Sequence, residues 1–190
     1  MTLVDRDLIA TALGSGAADL VIKGGRLVNV STAEIYPADV AIRNKRIAYV
    51  GDVTHCQGPD TAVLDARGSY LVPGLIEPHL HPESTKLPLT RLADALLPRG
   101  TTTIFAALDE TWAVTGIEGV RHVLEQARET ALRVIYHPYA HVPMTLIQPT
   151  STPAHAFRAD DLEQILDWPD AVGTMDTVID WVIGLDEDVL

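Results

Sequence analysis

The segment Val72-Pro-Gly-Leu-Ile-Glu-Pro-His-Leu-His81 decides how the chain is interpreted. It opens with a Pro-Gly break, continues as a short apolar stretch typical of a strand, and ends in two histidines separated by one residue. Because side chains alternate along a strand, His79 and His81 are expected to point to the same side. Two imidazoles that converge in this way suit a transition-metal ion. The segment therefore predicts a metal site at the carboxyl end of a strand.

Strands and helices alternate along the sequence after this break. The spacing predicts strands over 75–81, 101–107, 132–136 and 171–175, and helices over 87–97, 116–131 and 160–168. Apolar strands that alternate with helices are typical of βα units on a parallel sheet. In a βα barrel the active site lies at the carboxyl ends of the strands, where His79 and His81 fall. We therefore predict an α/β fold with the first half of a metal-dependent (β/α)8 TIM-like barrel in residues 73–190.

The sequence before Pro73 follows a different pattern. Short apolar strands are predicted at 20–22, 26–30, 39–43, 46–50, 62–65 and 69–72. The first two flank Gly24-Gly25, which predicts a hairpin turn between them. Many short strands in a small stretch favour a small N-terminal β-sandwich module over 18–72. Residues 1–17 are predicted to form a short helix or a loose tail.

Composition excludes two classes of partner. The chain has 190 residues and a formal net charge of −12, from 26 acidic and 14 basic side chains. Nucleic acids and anionic membranes both require clustered Lys and Arg, so neither is expected. Cys56 is the one cysteine and cannot form an internal disulfide. Residues 1–19 fit neither a signal peptide nor a transmembrane span. We expect a cytoplasmic protein with a small-molecule substrate.

These motifs resemble those of the amidohydrolase superfamily, whose first barrel strand reads PG-(F/L)-(I/V)-D-x-H-x-H. Glu77 stands here in place of the usual Asp. The continuation His81-Pro-Glu-Ser84 resembles the H-x-H-x-E-S pattern of the adenine deaminase branch. Further similarity to that branch covers Gly100-Thr-Thr-Thr-Ile-Phe105 with Asp109-Glu110, Gly116–Val120, His141–Thr145 and Val172–Asp176. The resemblance extends over residues 18–178.

The resemblance implies a metal-dependent hydrolase that acts on a C–N bond, deaminating a 6-aminopurine or a related nitrogen compound. One or two divalent ions (Zn, Mn or Fe) would lower the pKa of water to about 7 and make hydroxide available. The implied metal ligands are His79, His81 and Asp176; the implied catalytic residues are Asp176 and Glu83; the implied substrate-binding residues are Glu110 and His141.

Several positions depart from the family pattern. Ala107-Leu-Asp-Glu110 stands where the branch has DPHE, so an aspartate and a histidine are missing there. Gln148 falls where the branch has the Glu of E-T-S-G, and Asp176 is one methylene shorter than the family's Glu. His137 and His141 follow the third predicted strand. They are interpreted either as extra metal ligands, as substrate contacts or as ordinary loop residues. The departures leave the substrate open.

The length conflicts with a self-contained barrel. A complete (β/α)8 barrel takes ~250 residues, and only four of its strands are predicted here. The family places further ligand histidines on strands five and six and a catalytic Asp on strand eight. Half a barrel would also leave two open sheet edges, which favour aggregation. Three interpretations stay open: a fragment of a longer enzyme, one subunit of a split enzyme whose partner chain carries the other half, or a shortened relative that binds rather than catalyses, with its edge closed by dimerisation. A homo- or hetero-oligomer is expected, and the alternative to an enzyme is a non-catalytic or regulatory subunit of a split amidohydrolase.

Overall fold

The computed structural model describes residues 5–139, 155, 157 and 159–175. The chain divides into two compact units, residues 1–73 and 74–190. The described part of the first unit contains α1 (Arg6–Ala12), β1 (Leu20–Lys23), β2 (Arg26–Asn29), β3 (Glu34–Pro37), β4 (Asp39–Arg43), β5 (Arg46–Gly51), β6 (Ala62–Asp65) and β7 (Tyr70–Leu71). That of the second contains β8 (Leu75–Leu80), α2 (Leu89–Leu96), β9 (Thr101–Ala106), α3 (Asp109–Ala127), β10 (Arg133–Tyr136) and α4 (Ala159–Leu166). Across these ranges, every helix is too short or too polar to cross a membrane.

The first unit holds two sheets, in the strand orders β5-β4-β1-β6 and β3-β2-β7. The β4–β5 hairpin turns at Asn44 and Lys45, which both have positive φ (51° and 60°). Two successive left-handed residues match the right-handed twist of the flanking strands, which explains the tight turn. Buried apolar side chains around Val21, Ala41 and Val53 form the small core of this unit.

The hairpin predicted across Gly24-Gly25 is wrong, because β1 and β2 lie in different sheets. β2 instead pairs antiparallel with β3, a strand that the sequence pattern did not reveal. Gly24 has a φ of 78°, and a Cβ there would lie 2.6 Å from Cγ of Arg67. A Cβ on Gly25 would lie 2.6 Å from Cγ of Leu71. The two glycines therefore carry the chain from one sheet to the other through space too narrow for side chains.

The second unit is built on a parallel sheet in the order β10-β9-β8. Successive strands are neighbours and pair in parallel, with α2 between β8 and β9 and α3 between β9 and β10. One face of β9 and β10 packs into a buried core with both helices, through Ile104, Ala106, Val134, Tyr136, Leu92, Val120 and Leu124. The predicted α/β class is thereby confirmed, whereas the incomplete barrel stays a prediction.

Helix α3 begins earlier than the predicted helix over 116–131. It starts at Asp109 and ends at Ala127, with a break at Gly116, where φ is 64° and ψ is −160°. Only glycine adopts this backbone conformation readily. The stretch 109–115 therefore forms a separate helical segment directly after β9, at the carboxyl end of the parallel sheet.

The strand predicted over 171–175 is wrong as a full strand. Ala171 forms an isolated parallel bridge with Tyr136, flanked by bonds from Tyr136 N to Asp170 O (2.6 Å) and from Val172 N to Tyr136 O (3.0 Å). Gly173 then has a φ of 49°, which ends the extended conformation. The chain thus runs alongside β10 for a single pairing before it turns.

Candidate metal centre

His79 and His81 converge at the carboxyl end of β8. Their Nε2 atoms lie 3.1 Å apart, and their ring centroids 5.1 Å apart. The β8–β9 register shifts between Glu77 and Leu80, around Pro78, which has no N–H to donate to the ladder. The backbone N–H of His79 instead donates to Oε1 of Glu77, over 3.2 Å. The strand end that carries the two imidazoles is thus locally irregular and held by the acidic side chain of the motif.

The spacing of the two Nε2 atoms fits a shared metal ion. Two imidazole nitrogens bound to one tetrahedral ion at 2.0–2.1 Å would be about 3.3 Å apart. The observed 3.1 Å is close to that value. His79 and His81 therefore form a bidentate donor pair that could chelate a transition metal such as Zn, Mn or Fe with little rearrangement.

Asp109, which the sequence did not assign to the site, contacts the imidazole of His81. Its Oδ1 lies 2.9 Å from Nδ1 of His81, and its side chain is 8% exposed. Burial raises the pKa of Asp109, and the neighbouring His81 opposes this rise. The similarity to the branch includes Asp109-Glu110, but Asp109 stands where the branch has a histidine, so the resemblance implied no role for it. Its place at the start of α3, beyond the end of β9, is visible only in the structure.

Glu83 links the turn after His81 to the start of α3. It lies in a 3-10 turn over Pro82–Thr85, and its Oε1 accepts the backbone N–H groups of Glu110 (3.1 Å) and Thr111 (3.4 Å). Its Oε2 is buried and has no hydrogen-bond partner among the described residues. Burial raises the pKa of Glu83, and the charges of Asp109 and Glu110 add to the rise.

The donor atoms of three residues form a compact cluster. One ligand atom from each of His81, Glu83 and Asp109 lies within 4.8 Å of the others. Tyr139, also missed by sequence reasoning, is buried, and its hydroxyl lies 3.5 Å from Nε2 of His81. No sequence motif includes Tyr139, which follows the end of β10 by three residues, so the sequence did not predict this contact. The described part of the site is therefore a histidine pair flanked by two carboxylates and a tyrosine.

The remaining predicted residues are placed as follows. Glu110 is exposed, and its Oε1 accepts the Ser84 hydroxyl over 2.9 Å. His137 packs edge-on against Phe105, with ring centroids 6.0 Å apart. Asp176, His141 and Gln148 lie outside the described residues. The structure thus brings His79, His81 and Glu83 together with Glu110 nearby on α3, and the roles assigned to them stay predictions.

The site consists of two imidazoles at the carboxyl end of a parallel strand, one of which contacts a buried carboxylate. The chain is therefore an α/β protein with a candidate transition-metal centre. The chain is 43% identical over 181 residues to adenine deaminase 4 of Rhizobium meliloti (strain 1021), covering 95% of this chain and 30% of that protein. It is 43% identical over 171 residues to adenine deaminase of Moorella thermoacetica, covering 90% of this chain and 28% of that protein. The predicted resemblance is confirmed: the chain is a relative of the adenine deaminases, within the amidohydrolase superfamily.

Solved structures similar to the chain include two of D-aminoacylase. One, described as defining a subset of amidohydrolases, is 28% identical, covers 47% of this chain and 18% of its own, and has a TM-score of 0.41. The other, which concerns a binuclear metal center, is 24% identical, covers 82% of this chain and 28% of its own, and has a TM-score of 0.42. No protein-family model matches the chain. The chain spans less than a third of the length of the curated relatives named above.

Proposed function

We propose that the chain forms part of a metal-dependent hydrolase that deaminates adenine or a closely related 6-aminopurine, with release of ammonia. The observation that carries this proposal is the 3.1 Å approach of the two Nε2 atoms at the end of β8. Similarity to proteins named adenine deaminase over 95% of the chain supports the substrate class. Because the chain spans 30% of that relative, we propose that a longer chain or a partner subunit supplies the other ligands.

The proposal gives the two histidines one task. The site would hold one or two divalent ions, and both histidines would bind the same ion through Nε2. Asp176 is proposed as a further ligand and catalytic carboxylate. When bound, such an ion lowers the pKa of water to about 7, so hydrolysis can run at neutral pH. Imidazole and carboxylate ligands suit Zn, Mn and Fe alike, so the proposal covers all three.

Glu83 is proposed as a second catalytic carboxyl. Its Oε1 is occupied by two N–H groups of α3, which leaves the buried Oε2 for a proton. Burial raises the pKa of Glu83, so this carboxyl keeps its proton to a higher pH than an exposed glutamate does. We assign to Oε2 of Glu83 the transfer of a proton to or from the substrate.

Two residues are proposed to bind the substrate. The exposed carboxylate of Glu110, oriented by the Ser84 hydroxyl, can accept a hydrogen bond from an amino or ring N–H group. His141 is proposed as a second contact. A cytoplasmic location and an oligomer also stay predictions of the sequence.

One observation favours a second candidate function. Asp109, at a position where the adenine deaminase branch has a histidine, faces His81 and is 8% exposed. This position therefore carries a carboxylate that contacts His81 in place of the branch's histidine, so the site differs from the family pattern at this point. The alternative is therefore a non-catalytic or regulatory subunit of a split amidohydrolase, which keeps the fold and the histidine pair.

A chimera tests these two functions. This chain would replace the matching segment of Rhizobium meliloti adenine deaminase 4, which supplies the remaining length, and the product would be loaded with Zn, Mn or Fe. We expect the chimera to consume adenine and release ammonia, and His79→Ala to abolish turnover. His122→Ala is the matched control, since His122 is exposed on α3 and contacts Gln126. A folded, metal-loaded chimera that leaves adenine unchanged would contradict the deaminase proposal and support the subunit.

A further inference from the structure

We propose that Asp109 is a positioning residue that fixes the tautomer and the ring orientation of His81, so that Nε2 is its ligand atom. This inference rests on the proposed metal site. A neutral imidazole carries its proton on one of two nitrogens, and the other has the lone pair that binds a metal. Oδ1 of Asp109 is a buried oxygen with no hydrogen-bond partner among the described residues, and it lies 2.9 Å from Nδ1 of His81 in an ion-pair contact. A proton on Nδ1 would satisfy this otherwise unpartnered oxygen, and it would leave the lone pair of Nε2, which lies 3.1 Å from Nε2 of His79, available to a metal ion.

The position of Asp109 is itself fixed from two directions. Its side chain is 8% exposed and belongs to the first turn of α3. The next two residues, Glu110 and Thr111, donate their backbone N–H groups to Oε1 of Glu83. Because Glu83 follows His81 by two residues, the turn after the histidine and the start of α3 are joined twice. One link is the Asp109–His81 contact and the other is the Glu83–backbone pair.

A rigid carboxylate behind a metal-binding histidine has a measurable effect. It selects the tautomer, reduces the rotation of the ring and raises the basicity of the ligand atom. Substitution of such an outer partner typically weakens metal binding 10–100-fold. The aspartate thus gives this chain a ligand-orienting contact where the resembled branch has a histidine.

The first test uses the metal-free full chain with ¹⁵N-labelled histidine. Two-bond ¹H–¹⁵N correlation spectra at pH 8 distinguish the two imidazole tautomers. We expect His81 to be in the Nδ1–H form in the wild type and in a mixture of forms in Asp109→Asn, because an amide can donate as well as accept. The His79 signal is the internal reference, assigned with His79→Ala.

The second test measures Zn²⁺ affinity by competition with a chromophoric chelator. We expect Asp109→Asn to weaken binding 10–100-fold, and Asp109→Glu to restore part of the affinity because it returns a carboxylate. Glu118→Gln, an exposed carboxylate also on α3, is the matched control and should bind as the wild type does. Circular dichroism identifies which variants are folded. If Asp109→Asn does not fold, the Zn²⁺ affinity and the His81 tautomer are compared between Asp109→Glu and the wild type instead.

The outcomes separate this inference from the proposed function. If folded Asp109→Asn keeps both the His81 tautomer and the wild-type Zn²⁺ affinity, Asp109 is merely a packing residue and the inference is overturned. In that case, loss of Zn²⁺ binding in His81→Ala would still support the proposed metal site. If His81→Ala binds Zn²⁺ as the wild type does, the metal site is wrong, while the tautomer spectra still decide the role of Asp109.

Discussion

The Nε2 atoms of His79 and His81 lie 3.1 Å apart, with His79 at the penultimate position of β8 and His81 directly after the strand. The alternation of side chains along a strand accounts for their common direction. Their close approach depends on the end of the strand, where the register shift around Pro78 and the turn at Pro82 bring the rings together.

This pair predicts the effect of removing either imidazole. His79→Ala and His81→Ala should each weaken Zn²⁺ binding by more than the 10–100-fold typical of outer-shell substitutions, since a direct ligand is lost. Elemental analysis after dialysis and a chelator competition would measure it. His122→Ala should bind as the wild type does, because His122 is exposed elsewhere on α3. Wild-type affinity in either alanine variant of the pair would show that the ligands are other residues.

Glu83 predicts a stability effect independent of metal. Glu83→Ala removes the acceptor of two N–H groups at the start of α3, which have no earlier helical carbonyl to bond. We expect a loss of about 1 kcal/mol in the free energy of unfolding, as for other helix-start acceptors. Glu83→Gln keeps an acceptor oxygen without the buried charge and should lose less. Urea unfolding of the metal-free chain measures both, with exposed Glu118→Gln as the control; equal stability in all three would contradict the role.

Much of the second unit could be predicted from sequence because its signals are local. Apolar runs bounded by Gly100 and polar loops located β8, β9 and β10 within a few residues, and the spacing of His79 and His81 placed both at a strand end. A parallel sheet with sequential order then follows from helices between the strands. His79 and His81 lie two residues apart in one short segment, so their pairing could be predicted without knowing any contact between distant parts of the chain.

The features missed by sequence depend on contacts between segments distant in the chain. Asp109 reaches His81 only because β8 and β9 are neighbours, and no periodicity encodes a contact across 28 positions. The passage of the chain from one sheet to the other at Gly24-Gly25 also depends on distant residues, because the same dipeptide would equally suit a hairpin turn. Only the side chains of Arg67 and Leu71, which occupy the space beside the glycines, distinguish the two cases.

Gly116 predicts a cost for any side chain at the break in α3. Its φ of 64° and ψ of −160° lie in a region open essentially to glycine, and a Cβ would approach Nδ1 of His155 to 3.0 Å. We expect Gly116→Ala to lower the free energy of unfolding by about 1–3 kcal/mol. Gly68→Ala is the comparison, since Gly68 also has a positive φ but no atom lies within 4 Å of its Cβ position. A smaller loss at Gly116 than at Gly68 would contradict this account.

Cys56 predicts a fall in stability at alkaline pH. Its thiol is fully buried in the core of the first unit, and burial, with the charge of Asp52 adding, raises its pKa above the ordinary 9.0. The folded state therefore keeps a proton that the unfolded state loses, so the thiol's contribution is complete below pH 9 and declines as pH rises through the folded pKa. Urea unfolding between pH 7 and 10 should show the advantage of the wild type over Cys56→Ala narrowing above pH 9. A difference that stays constant over this range would mean that the thiol does not ionise with the unfolding equilibrium.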